Sequence, residues 1–220
     1  MCGIYGSYNT SKFEILDSVN RQRGNFASGI FYHDGDNYDY QKTEGVFNWD
    51  NIKLPGGFLY LGHNQAPTSS ARVWREHQSH PFVIMNWVVA HNGVLTNFKE
   101  LKNTYIPTHD NLVDSSIIPA LLKYFEDKYG KANTPEKEAI IITETLKILQ
   151  GTYGVWIVNI DTLNTYIARQ GSTLFYDKNS FSSIKGDKQT DIKEGQLYRF
   201  NSKGIKSVKE FKSQSPFLEL

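Results

Sequence analysis

The sequence has no second cysteine: Cys2 stands alone among 220 residues, so no disulfide can close within the chain. It also has no long apolar run. The most apolar stretches, Phe82 to Met85 and Trp87 to Ala90, fall far short of the ~20 residues that a membrane-spanning helix needs. Asn9, Lys12 and Glu14 come too early for a secretory leader. Neither sign of charge dominates, with 24 basic against 23 acidic residues, and a nucleic-acid footprint needs a concentrated positive field. Even the densest lysine segment, 203–212, is broken by apolar residues and Glu210. Repeats, low-complexity tracts and linker-like shifts of composition are absent as well. Together these absences predict a cytoplasmic protein forming one domain over residues 1–220, with neither a membrane nor a nucleic-acid partner.

What is present is an ordinary core composition, 39% hydrophobic and 21% charged. Strand signals come first: Ile4 to Tyr8, Gly29 to Tyr32 before a turn at Asp34 to Asn37, Phe58 to Leu61, and one long run from Phe82 to Ala90. The period then changes. Leu112, Ile117, Leu121, Leu122 and Phe125 predict a helix over 111–129 that ends at Gly130. Thr134 and Pro135 predict an N-cap and first position for a second helix, which buries Ala139, Ile142, Leu146 and Leu149. Strands return over 154–160, 165–168, 174–176 and 196–200. Strands, two adjacent helices, then strands again do not make the alternation of a parallel α/β sheet; they fit antiparallel sheets with helices packed outside.

Cys2 is the residue that carries chemistry. A lone cysteine is ordinarily a small buried apolar residue. At position 2, removal of Met1 would place a thiol and a free α-amine on one residue. The thiolate is the nucleophile, and an amine titrating near pH ~7.7–8.0 can serve as its base. Gly3 lets the backbone lie close to a substrate. In Ala90-His91-Asn92-Gly93, an apolar strand runs into Asn-Gly, where a sharp turn is expected. The Asn92 amide and the Gly93 N–H could stabilise the negative oxygen that develops in acyl transfer, or the pair could be a common connecting turn.

Met1-Cys2-Gly3-Ile4, Arg23-Gly24, Gly62-His63, His91-Asn92-Gly93 with Asn97, and Asp114 stand in the order found in class II glutamine amidotransferases. Gly151 to Gly154, Ala168-Arg169 and Glu194 to Gln196 extend the resemblance over nearly the whole chain. It implies an α+β fold, the four-layer αββα sandwich of N-terminal-nucleophile hydrolases. It further implies that Cys2 attacks the glutamine side-chain amide through a thioester, with Asn92 and Gly93 as the oxyanion hole. Arg23 would position the N-terminal residue. Asp114 would receive the substrate α-ammonium, and Thr68 and Gln65 would complete the substrate contacts.

The sequence departs from the family pattern in two places. An arginine that grips the substrate α-carboxylate is usual where Gln65 stands, and an amide offers hydrogen bonds without charge or fork; Arg72 or Arg75 could supply the charge instead. Phe26 stands where an aspartate is common. His77 and His80 have i, i+3 spacing, but no thiol or carboxylate pattern completes a ligand set, so neither metal nor cofactor is expected. With no room after the last strand signal for a synthase domain, the expected partner is a separate synthetase subunit that receives ammonia, with 215–220 as one candidate docking segment. Two rival readings keep the same architecture: an amidase acting on a different amide, and a catalytically silent binding or regulatory module.

Overall fold

The computed structural model describes residues 1–50, 52, 54–56, 58–66 and 73–212. In chain order the elements are β1 (Gly3–Ser7), α1 (Thr10–Asn20), β2 (Ala27–His33), β3 (Tyr38–Glu44), β4 (Leu59–Gln65), β5 (Phe82–Ile84), β6 (Trp87–Leu95), α2 (Phe98–Tyr105), α3 (Ile117–Tyr129) and α4 (Pro135–Ile148). There follow β7 (Gly151–Asn159), β8 (Asn164–Gln170), β9 (Phe175–Tyr176), β10 (Ser180–Ser182), β11 (Thr190–Asp191), β12 (Gln196–Asn201) and β13 (Gly204–Glu210).

The strands form a seven-stranded sheet, β11-β9-β10-β1-β4-β2-β3, and a six-stranded sheet, β13-β12-β8-β7-β6-β5. Every paired neighbour is antiparallel. Because strand side chains alternate faces, each sheet supplies two apolar surfaces, and three buried clusters fill the resulting spaces. Tyr5, Phe13, Leu16 and Tyr60 pack α1 on the outer face of the first sheet. Ile4, Leu61, Ala90, Trp156 and Val158 fill the space between the sheets. Val89, Leu121, Ile142, Leu146 and Val155 pack α3 and α4 on the outer face of the second. The layers therefore run helix, sheet, sheet, helix, as expected. No helix among the described residues is long and apolar enough to cross a membrane.

The element α4 matches its sequence signals: Thr134 accepts from the Lys137 N–H, Pro135 opens the helix, and Ala139, Ile142, Leu146 and the following Leu149 are buried. Three expectations need correcting. The run from Phe82 to Ala90 is two strands, because Met85 takes a positive φ of 52° and the chain folds back as the β5–β6 hairpin. The helix expected from 111 starts only at Ile117, after a 3-10 turn over Asp114–Ser116, and Leu112 is 77% exposed outside it. Finally, Asn92-Gly93 makes no turn. It lies inside β6, with Asn92 opposite Gly154 and Gly93 opposite Tyr153, and the ladder continues to Leu95. The glycine serves close approach, since a Cβ there would sit 1.9 Å from the Thr152 carbonyl oxygen.

Candidate active site

Cys2 sits half-buried just ahead of β1, one step beyond the Gly3–Asn64 pair that ends the β1–β4 ladder. Ile4 belongs to the core between the sheets, so alternation directs Cys2 to the same face. Gly3 faces α1, where a Cβ would meet Asn20 Oδ1 at 2.7 Å. The turn after α1 brings Arg23 back to Cys2. Its Nε donates to the Cys2 carbonyl at 2.7 Å, and its Nη1 donates to Thr173 Oγ1 at 3.2 Å and to the Ser183 carbonyl at 3.3 Å. Burial pulls the Arg23 guanidinium below its ordinary value, and the neighbouring Cys2 opposes that shift.

Asn92 is held on the opposite sheet. Ala90 points into the inter-sheet core, and Asn92, two residues on, faces the same way. Its Nδ2 donates to Ser183 Oγ at 3.3 Å, and its backbone carbonyl accepts from Ser172 Oγ at 3.0 Å. The same Ser183 Oγ accepts from the Ile4 N–H at 3.0 Å. One serine thus bridges the strand of Cys2 and the strand of Asn92.

His91 and His63 are scaffold. Thr152 O and His91 O can only accept, so His91 Nε2–H donates to the first (3.2 Å) and His63 Nε2–H to the second (3.1 Å). With its Nε2 protonated, neutral His91 accepts at Nδ1 from Ser115 Oγ, 2.8 Å away. Burial pulls the His91 imidazole below its usual range, partly offset by Asp114. The Asp114 carboxylate accepts the Leu95 N–H on Oδ2 and the Ser115 N–H on Oδ1, both at 2.8 Å, which fixes it against the end of β6. With Gly93, Leu95, Phe98 and Leu112 it lines a cleft of about 830 Å³. The structure therefore gathers Cys2, Arg23 and Asn92 around Ser183, and sets Gly93 and Asp114 on a cleft at the C-terminal end of β6.

Gln65 ends β4 opposite Ala27, is buried, and alternates onto the inter-sheet face with His63. Its backbone is packed tightly: the carbonyl accepts the Phe26 N–H at 2.9 Å, and a Cβ on Gly24 would come within 2.4 Å of the peptide that follows Gln65. The expected contact Thr68, and with it Arg72 and the segment 215–220, lies outside the described residues. Arg75 is exposed ahead of the 3-10 turn Glu76–Gln78, which brings Gln78 to the cleft. Ser183 was missed from sequence because an isolated serine carries no motif.

No protein-family model matches the sequence. Among curated proteins, it is 26% identical over 205 residues to glutamine–fructose-6-phosphate aminotransferase of Listeria innocua, which covers 88% of this chain and 33% of that one. It is 30% identical over 172 residues to the enzyme of the same name from Methanococcus maripaludis, covering 73% and 28%. Among solved structures, the glutamine phosphoribosylpyrophosphate amidotransferase of B. subtilis superposes with a TM-score of 0.72 at 19% identity, over 97% of this chain and 50% of that one. The chain is a class II glutamine amidotransferase domain. A class II glutamine aminotransferase domain protein from Silicibacter pomeroyi matches the amidotransferase domain over 96% of this chain and 100% of its own, with a TM-score of 0.54 and 14% identity. The domain spans about a third of the length of the curated relatives it matches.

The sandwich of this amidotransferase domain also sets an acid limit. His33 Nε2 lies 3.4 Å from Thr165 Oγ1, linking β2 to β8 across the two sheets. Burial pulls its imidazole from 6.5 down to about 4. A depressed value means that the unfolded chain binds the proton more readily, so this stability is complete above pH ~6.5 and lost as pH falls toward 4. The loss amounts to about 2 kcal/mol by pH 5, and buried His91 adds to it in the same direction. Urea midpoints at pH 7 and pH 5 test this: His33→Gln is expected to flatten the difference, and an unchanged difference would refute the assignment.

Proposed function

We propose that this domain hydrolyses the side-chain amide of glutamine, with Cys2 as nucleophile once Met1 is removed. The freed α-amine takes the thiol proton as the sulfur attacks the amide carbon. Negative charge develops on the carbonyl oxygen, where the second N–H of the Asn92 amide and the Gly93 N–H receive it. Collapse of the tetrahedral intermediate breaks the C–N bond, the amine returns its proton to the departing nitrogen, and ammonia leaves. Water then cleaves the γ-glutamyl thioester to glutamate. Asp114 spends one backbone N–H on each oxygen, and a carboxylate has about four lone-pair sites, so capacity remains for the substrate α-ammonium. Gln65 and Thr68 complete the substrate contacts, with Gln65 giving a hydrogen bond where a charge would bind more tightly.

One observation carries this reading: Arg23 clamps the carbonyl of Cys2 at the edge of the inter-sheet space, and Ser183 ties that strand to the Asn92 amide. The chain acts as a single domain, and its ammonia passes to an acceptor on a separate synthetase subunit. The uncharged Gln65 favours a second reading, hydrolysis of a different amide, and a profile of amide substrates separates the two. The decisive test is intact mass before and after a diazoketone analogue of glutamine. Protein lacking Met1 with a single adduct on Cys2 is the expected result; correctly processed protein that takes no adduct would exclude the mechanism.

A further inference from the structure

Ser183 lies just past the end of β10 and is 1% exposed. It holds both backbone groups of Ile4: the Ser183 N–H donates to the Ile4 carbonyl at 2.8 Å, and Ser183 Oγ accepts the Ile4 N–H at 3.0 Å. The side chain thus stands where a strand carbonyl would continue the β1–β10 ladder. Its own carbonyl accepts from Thr173 Oγ1 at 2.8 Å and from Arg23 Nη1 at 3.3 Å, while Arg23 Nε holds the Cys2 carbonyl. The second lone pair of Ser183 Oγ takes an N–H of Asn92.

A hydroxyl oxygen has two acceptor lone pairs and one proton. Ile4 and Asn92 occupy both lone pairs, the Asn92 amide presenting its nitrogen to the serine. One of its two N–H bonds is spent there and the amide plane is fixed. The other N–H is left for an oxygen arriving at Cys2. Ser172 fixes the same residue from behind, donating to the Asn92 backbone carbonyl.

Building on the glutaminase reading, we propose that Ser183 is a positioning residue for the reaction. It holds the Asn92 amide with an N–H aimed at the developing oxyanion, and it gauges the distance between that amide and the strand of Cys2. The interaction it supports exists in the transition state, so its loss is expected in kcat more than in KM. Ser183→Ala is expected to lower kcat for glutamate release by about 30-fold, a fraction of the 10²–10³-fold cost of deleting an oxyanion donor, with KM moving less than about threefold. Alkylation of Cys2 by chloroacetamide needs no oxyanion hole and should stay within about twofold of wild type. Ser183→Thr keeps the hydroxyl and should restore most of kcat. If the alanine variant does not fold, Ser183→Cys, close in size and a weak acceptor, makes the kcat and KM comparison, with alkylation at Cys2 read separately from that at position 183 by peptide mass.

The discriminating measurement is the double variant. In an Asn92→Ala background, Ser183→Ala should cause no further loss of kcat, because the group it positions is gone. Losses that multiply, or a parallel loss of chloroacetamide reactivity, would overturn the assignment and leave the glutaminase reading standing. Wild-type protein that lacks Met1 and yet releases no glutamate would overturn both.

Discussion

Cys2→Ala is expected to lower glutamine hydrolysis by roughly 10⁴–10⁶-fold, the scale on which removal of a hydrolase nucleophile is felt. The fold should survive the change. Cys2 lies ahead of β1, is half-buried, and contributes its carbonyl, which alanine also has, to the Arg23 clamp. Replacing a small side chain at such a place costs about 1 kcal/mol or less. Turnover and stability should therefore separate cleanly: a melting curve close to wild type, with no glutamate released above background. Because the sequence holds no other cysteine, the adduct with the diazoketone analogue should vanish in the same variant. Activity within tenfold of wild type would place the nucleophile elsewhere.

The second large effect is on stability, at Asp17→Ala. Asp17 is a fully buried residue of α1. It accepts the Tyr5 hydroxyl at 2.5 Å, the Trp49 indole N–H at 2.7 Å, the Asn64 amide at 3.1 Å, and both Nε and Nη2 of Arg21. These bonds join α1 to β1, to β4 and to the segment after β3. Burial and the Asp17 carboxylate together hold the Tyr5 hydroxyl well above its usual value, so it stays protonated and donates. Alanine would take the carboxylate from the Tyr5, Trp49 and Asn64 donors, at about 1–3 kcal/mol for each lost bond before relaxation. Tyr5 would keep its longer bond to Asn64, and Asn64 its bond to the residue-17 carbonyl. The expected total is about 3–5 kcal/mol, and a melting temperature lower by about 10–15 °C. Asp17→Asn keeps one acceptor oxygen and should lose about half as much. Scanning calorimetry of both variants checks the order; equal melting temperatures for wild type and Asp17→Ala would show that α1 is held by its apolar contacts alone.

The same helix shows where sequence reading stops. No pattern announces α1, because its buried face combines Phe13 and Leu16 with Asp17 and Asn20, which are polar. Its start is conventional, with Asn9 accepting from the Lys12 N–H. β3 was equally hidden: Tyr38–Glu44 is an exposed edge whose polar residues carry no alternation of burial. By contrast, α4 was legible because apolar periodicity, cap and proline all agreed. Cys2 and Asn92 could be proposed in advance from residue type and position, and Asp114 from the family resemblance. Their arrangement could not. Asn-Gly signals a turn in isolation, and only the β7 ladder, with Thr152 pressed against Gly93, keeps the pair extended. Ser183 gains its importance wholly from what the fold brings to it.

The packing between the sheets has a further consequence. Cys2 leads into one sheet and Asn92 belongs to the other, and Ile4, Leu61, Ala90 and Trp156 fill the gap between them. The spacing of the proposed nucleophile and oxyanion donor is thus a layer thickness, set by methyl groups and an indole together with the Ser183 bridge. A slide of one sheet over the other by a fraction of an ångström would leave every strand ladder intact. It would nevertheless detune the site, so heat should silence this domain some degrees before it unfolds.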